Sequence, residues 1–172
     1  DLLTVTSAET VAAYPRLRED GDALDAAARA CDAVSRLFES PEPHPEVFNL
    51  LCSMLVLLDE DPQGGAAPAR RLAFRLKLLL AAGFMPHLSA CAQCGEADGL
   101  VGFSPAAGGV VCGACEAGSF PLDQEVHTFL AQALGRPLAD TPAADERTLR
   151  LADRVVLETA AHHAHVRLRA AA

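Results

Sequence analysis

Cys91-Ala-Gln-Cys94 and Cys112-Gly-Ala-Cys115 stand seventeen residues apart and constrain this 172-residue chain more than any other feature. Each pair has the spacing of a knuckle, a tight turn that aims two thiolates at one ion. Two knuckles complete a closed tetrahedral Cys₄ site, with Zn²⁺ as the expected metal. Gly95 follows the first pair and Gly113 lies inside the second, as turns needing positive φ would require. Two disulfides would need an oxidising compartment, and no export signal marks the chain. A thioredoxin-like redox pair would need a strand-then-helix pattern, which neither knuckle has. Four protein ligands leave no open position for water, so the expected zinc is structural.

The rest of the chain reads as helices. Half of it is hydrophobic, only 5% is aromatic, and Trp is absent. Ala and Leu dominate, which favours packed helices over a sandwich. A first long helix is expected over 22–39, capped by Asp22, with Leu24, Ala27, Cys31, Val34 and Phe38 on its apolar stripe. Pro41, Pro43 and Pro45 end it, and Pro45 opens a second helix over about 45–60. That helix is apolar on most sides and is expected at the centre of a bundle. Asp59 to Gly65 reads as a loop whose three carboxylates are solvated. A third helix spans about 67–82, with Leu72, Leu76, Leu79 and Leu80 inward and Gly83 as its C-cap. Cys31 and Cys52 are read as buried free thiols.

Residues 88–118 hold the knuckles. Between them lie Leu100–Phe103 and Val110–Val111, a β-hairpin, so the segment reads as a zinc ribbon. A fourth helix is expected over 121–134 and a last one over 145–169. The fold expected is therefore mainly α: a helical bundle with a Cys₄ ribbon inserted between its third and fourth main helices. Leu2–Thr6 is β-prone and Ser7–Glu9 a helical turn ended by Tyr14-Pro15. Residues 1–6 read as the last strand of a domain lying upstream, and 7–172 as the helical domain.

Charge is uneven. The chain carries a formal net charge of −9, and residues 1–61 alone account for −9, against +1 for 62–120 and −1 for 121–172. A body this acidic is a poor DNA binder by itself, because phosphate neutralisation drives that affinity. No apolar run approaches the ~20 residues of a membrane span, so a soluble, cytoplasmic protein is the default. No Gly-rich phosphate loop, nucleophile elbow or His-Glu-x-x-His is present, and the chain reads as non-enzymatic.

Four of the fourteen basic residues, Arg70, Arg71, Arg75 and Lys77, fall within eight positions. They are candidates to receive an acidic peptide with a hydrophobic end; the ordinary reading, a solvated helix face, is preferred. His162 and His165, at i and i+3, could share an ion, but imidazoles beside a helix C-terminus are the better reading for them and His163. His87, four residues before Cys91, is treated as lying outside the ligand set.

The order of these segments resembles the C-terminal part of the RecO family of recombination mediators. The residues that carry the resemblance are Asp1–Glu9, Pro43–Leu51, Phe74–Phe84, Cys91–Gly95, Phe103-Ser104 with Gly108-Gly109, Cys112–Cys115 and His163–Leu168. The resemblance implies a helical domain with an inserted zinc element and, in whole family members, an N-terminal oligonucleotide-binding barrel that this sequence lacks apart from its last strand. It implies binding to the C-terminal tail of the single-stranded-DNA-binding protein and to RecR, strand annealing and RecA loading. Contact with single- and double-stranded DNA is then assigned chiefly to the barrel. The alternative is a zinc-ribbon domain that contacts nucleic acid directly.

Overall fold

Proline and aspartate set where the helices begin. The computed structural model describes residues 4–40 and 42–170. Pro15 opens α1 (Pro15–Glu19). The Asp20 carboxylate then accepts from the Ala23 amide and caps α2 (Gly21–Leu37). Proline returns at the first position of α3 (Pro45–Glu60), α4 (Pro62–Gly65) and α5 (Pro68–Ala81). Its missing N–H falls there among donors that no helix can satisfy. Three strands follow, β1 (Leu100–Ser104), β2 (Gly109–Cys112) and β3 (Phe120–Pro121). Asp123 caps α6 (Gln124–Gly135) and Asp145 caps α7 (Glu146–His163), each accepting from the amide three residues on. The fold is mainly helical, with the ribbon inserted between α5 and α6, as the sequence pattern indicates.

The centre of the bundle is α5, not α3. Leu72, Ala73, Phe74, Leu76, Leu78 and Leu79 are buried, and α2, α3, α6 and α7 all touch this helix. On α3 only Val47, Met54 and Leu58 are fully buried, while Phe48 is 67% exposed. Hydropathy alone could not tell a helix surrounded by neighbours from one with leucines to spare. On α2 the inward face is alanine: Ala23, Ala26, Ala27, Ala30 and Ala33. Leu24, at 49%, and Cys31 are exposed, and Cys52 is only partly buried, so neither thiol is the buried core residue expected. Short side chains let α2 approach α5 closely, and that contact outweighs the larger leucine. Leu80 also turns outward.

Several boundaries move for local reasons. Asp20 replaces Asp22 as the cap of α2. Residues 62–65 form a helical turn because Asp61 accepts from the Gly64 amide. Asp59 is equally engaged: its carboxylate accepts from the Leu17 amide at 3.0 Å and ties α1 to α3. Pro15 starts a helix and does not end one. Thr4–Glu9 form neither strand nor helix, and the first three residues of the expected opening strand lie outside the described residues. Pro121 pairs with Gly102 in β3, which delays α6 to Gln124. Gly83 does close α5. It takes φ 80°, with Phe84 N donating to Leu79 O at 2.8 Å and Gly83 N to Leu80 O at 3.0 Å. This is the paired-bond helix terminus that a positive-φ glycine permits.

The sheet has the order β2-β1-β3, all antiparallel. Its inner face joins the main core, since Phe103, Val110 and Phe120 cluster with the helices. Polar straps add to this docking. The His163 ring Nε2 lies 2.7 Å from Pro105 O and the His127 ring Nε2 lies 2.6 Å from Leu88 O. His87 pairs with Gly109 through the backbone, Val110 N donating to His87 O at 2.9 Å. A Cβ on Gly109 would sit 2.4 Å from the His87 carbonyl oxygen. Gly109→Ala is therefore expected to cost about 1–3 kcal/mol, the range of an overpacked contact, read as a lower melting temperature with zinc bound.

Candidate metal centre and arginine cleft

The Sγ atoms of Cys91, Cys94, Cys112 and Cys115 all lie within 4.8 Å of one another. The first knuckle turns because Gly95 N donates to Cys91 O at 2.9 Å and Cys91 N to Glu96 O at 2.7 Å. The second turns on Cys115 N donating to Cys112 O, also at 2.9 Å. Gly95 takes a φ of 80°, whereas Gly113 does not need positive φ. Ala92 N bonds to Val110 O and brings the first knuckle beside β2, which carries Cys112.

This donor set fits one tetrahedral ion. Zn–S bonds of about 2.3 Å imply sulfur–sulfur edges near 3.8 Å, and Cys94 Sγ lies 3.6 Å from Cys112 Sγ. The thiols also show why a cation belongs there. The backbone amides of Cys112 and Cys94 pull the Cys91 thiol down to about 6. The Cys94 thiol and desolvation push Cys115 up to about 12. Cys91 gives up its proton first, whereas Cys94 and Cys115, both shifted up, hold theirs until a positive charge lies between the sulfurs. A bound divalent metal would supply that charge and hold all four as thiolates. Among the described residues no other group of three or more His, Cys, Asp or Glu side chains is placed to hold a metal. His87 is outside the cluster. His162 and His165 lose their helical spacing because α7 ends at His163 and His165 takes φ 55°.

The basic quartet of α5 divides between two faces. Lys77 donates to Leu134 O at 2.9 Å and Arg70 to Ala139 O at 3.3 Å, toward α6 and the short 3-10 turn at Leu138–Asp140. Arg71 and Arg75 face α2 and the segment after α7. There they line a narrow cleft of about 20 Å³ with Ala26, Ala30, Met54 and Phe74. Arg29 and Arg169 share its rim. Arg169 reads from the sequence as a basic residue near the chain's last helical turn that could touch a partner, but Arg29 is not legible there. Arg29 sits four residues after Asp25, with which it forms an ordinary exposed ion pair, and only the α2–α5 contact reveals its second neighbour.

Arg75 is not a solvated side chain. It is 6% exposed, pairs with Asp153 of α7, and donates from Nη1 to Arg169 O at 2.7 Å. Burial pulls its guanidinium below the usual value, and Asp153 opposes that pull. Arg71 is lowered by burial first and by Arg29 second. The Nε atoms of Arg70, Arg71 and Arg75 are buried without a hydrogen-bond partner. The cleft thus combines an alanine and phenylalanine floor with guanidinium donors still to be satisfied.

Residues 18–171 match the family described as "Recombination protein O C terminal". The chain belongs to the RecO family. It is 39% identical over 120 residues to the DNA repair protein RecO of Anaeromyxobacter dehalogenans (strain 2CP-C), covering 69% of this chain and 46% of that protein. It is 36% identical over 137 residues to RecO of Geobacter sulfurreducens, covering 78% and 55%. The chain spans about half the length of the curated relatives it matches. Both relatives are named as DNA repair proteins. No helix among the described residues is long and apolar enough to cross a membrane.

Proposed function

We propose that this chain is the helical and zinc-bearing portion of a non-enzymatic recombination mediator. Its arginine cleft receives the C-terminal tail of the single-stranded-DNA-binding protein, an acidic peptide with a hydrophobic end. Its outer helix faces meet RecR, and together these contacts support strand annealing and RecA loading. Zn²⁺ on Cys91, Cys94, Cys112 and Cys115 keeps the ribbon in shape. DNA contact in the whole protein rests chiefly on the N-terminal barrel of family members.

The observation that carries this reading is the cleft: Arg29, Arg71 and Arg75 converge on a floor of Ala26, Ala30, Met54 and Phe74. A terminal carboxylate suits guanidinium donors, and an apolar terminal side chain would reach that floor by widening the cleft, which as it stands has room for about one water. Arg71 and Arg29 are the residues to test, since Arg75 also holds the core together. A labelled tail peptide titrated with the zinc-loaded chain should bind saturably in the micromolar range. Arg71→Glu should weaken it about tenfold or more, as a reversed charge at a partly buried contact does. No binding by a folded, zinc-loaded chain would remove the cleft as the docking site.

A further inference from the structure

The chain itself already covers the arginine cleft. α7 ends at His163, and His165 turns the backbone with φ 55° while Val166 N donates back to Ala160 O at 3.1 Å. The residues that follow reach the cleft between α2 and α5. Leu168 anchors them, buried in the main core. Arg169 and Ala170 then line the cleft beside Arg71 and Phe74. Their carbonyls take donors that an anion would want. Arg75 Nη1 donates to Arg169 O at 2.7 Å, and Arg29 Nη1 to Ala170 O at 3.4 Å. The space left open is about 20 Å³.

Beyond Leu168 the hold is light. Arg169 and Ala170 are exposed. Arg169 Nε lies 3.8 Å from Asp32 Oδ2, a carboxylate that Arg36 already engages at 2.8 Å. Among the described residues, Val166 is the last to form a backbone–backbone hydrogen bond. A segment with so few backbone bonds and one buried anchor opens at small free-energy cost. Its carbonyls are also the weaker ligands. A carbonyl offers a guanidinium one neutral oxygen, whereas a carboxylate offers two oxygens and a full charge, and can bind the fork with both.

We propose that residues 164–170 form an autoinhibitory flap, and that an acidic peptide with an apolar end binds the arginine cleft by displacing it. The inference rests on the reading of that cleft as the peptide's site. The peptide's carboxylates take Arg29 and Arg71, and its apolar end takes the space over Ala26, Ala30 and Phe74 that Arg169 and Ala170 give up. The narrow cleft is then the closed form of the site. Apparent affinity is the intrinsic affinity scaled by the open fraction, and the burial of Leu168 sets that fraction. A ligand with charge alone lacks the apolar contact that offsets opening, so the flap selects for peptides that supply both.

Two variants of the zinc-loaded chain move the flap in opposite directions. Each is read by anisotropy of the labelled tail peptide and by the rate at which phenylglyoxal modifies Arg71, followed by mass spectrometry. Leu168→Ala loosens the anchor and should tighten peptide binding about tenfold, with faster modification of Arg71. Ala170→Asp sets a carboxylate among the arginines and should hold the flap closed. Peptide binding should weaken about tenfold and modification of Arg71 should slow. Ala170 is exposed, so this variant should keep its fold and its zinc whatever Leu168→Ala does. Peptide binding that Arg71→Glu abolishes and neither flap variant alters overturns the proposal and leaves the cleft reading standing. No peptide binding in any form, with Arg71 modification still responding to both variants, overturns the cleft reading, and displacement by a peptide falls with it. Modification rates unchanged in both variants overturn the flap itself.

Discussion

Cys115→Ser is expected to lose zinc and to release the outer half of the ribbon while the helices stay folded. Three thiolates hold a structural ion far less well than four, and apparent binding energies of about 10–16 kcal/mol for such sites are folding energy for the segment that supplies the ligands. The ribbon has two halves with different support. Cys91, Val111 and Cys112 form their own small cluster, whereas Phe103, Val110 and Phe120 belong to the main core. Backbone amides from about Cys91 to Glu96 and Cys112 to Ser119 should therefore lose hydrogen-exchange protection first, with Phe103 retaining part of its burial. Chelation of the native chain should give the same pattern. Full zinc content and an unchanged melting curve in the variant would reject the four-thiolate site.

Asp153→Ala is expected to cost about 3–5 kcal/mol, because it strands a buried guanidinium. Arg75 is 6% exposed and Asp153 7%, and the pair joins α5 to α7 at the centre of the bundle. A loss of that size is a large share of the roughly 5–15 kcal/mol that stabilises a domain. The double variant Arg75→Met with Asp153→Leu should recover most of it, since an apolar pair of similar volume avoids the desolvation of two charges. Urea unfolding measures both. A single variant within about 1 kcal/mol of the native chain would mean that water reaches Arg75 in solution.

The clustering of the four cysteines is legible from spacing alone because a knuckle is a local object, closed within a few residues. The helices were legible from period and punctuation, again local. What escaped were facts that depend on which helix meets which. Leu24 and Phe48 follow good apolar stripes and still face outward, because alanines bring α2 onto α5 and α5 takes the centre. Spacing sets Arg71 with Arg75 and Arg70 with Lys77, and the structure keeps those pairs; what spacing cannot give is the neighbour each meets, α2 for the first and the α6 side for the second. Arg29 and Asp153, the residues that give Arg71 and Arg75 their meaning, lie 42 and 78 positions away from those partners, beyond any periodicity.

The Arg75–Asp153 pair also sets a schedule for the growing chain. A ribosome moving at about 5–20 residues per second needs roughly 4–16 s to add the 78 residues that separate the two. For that interval α5 emerges complete with a guanidinium destined for the interior and no carboxylate to meet it. The ribbon is made in the same interval, so its four thiols are available to a metal before the bundle can close. Synthesis order thus favours a ribbon that is already loaded when α7 arrives to cover it.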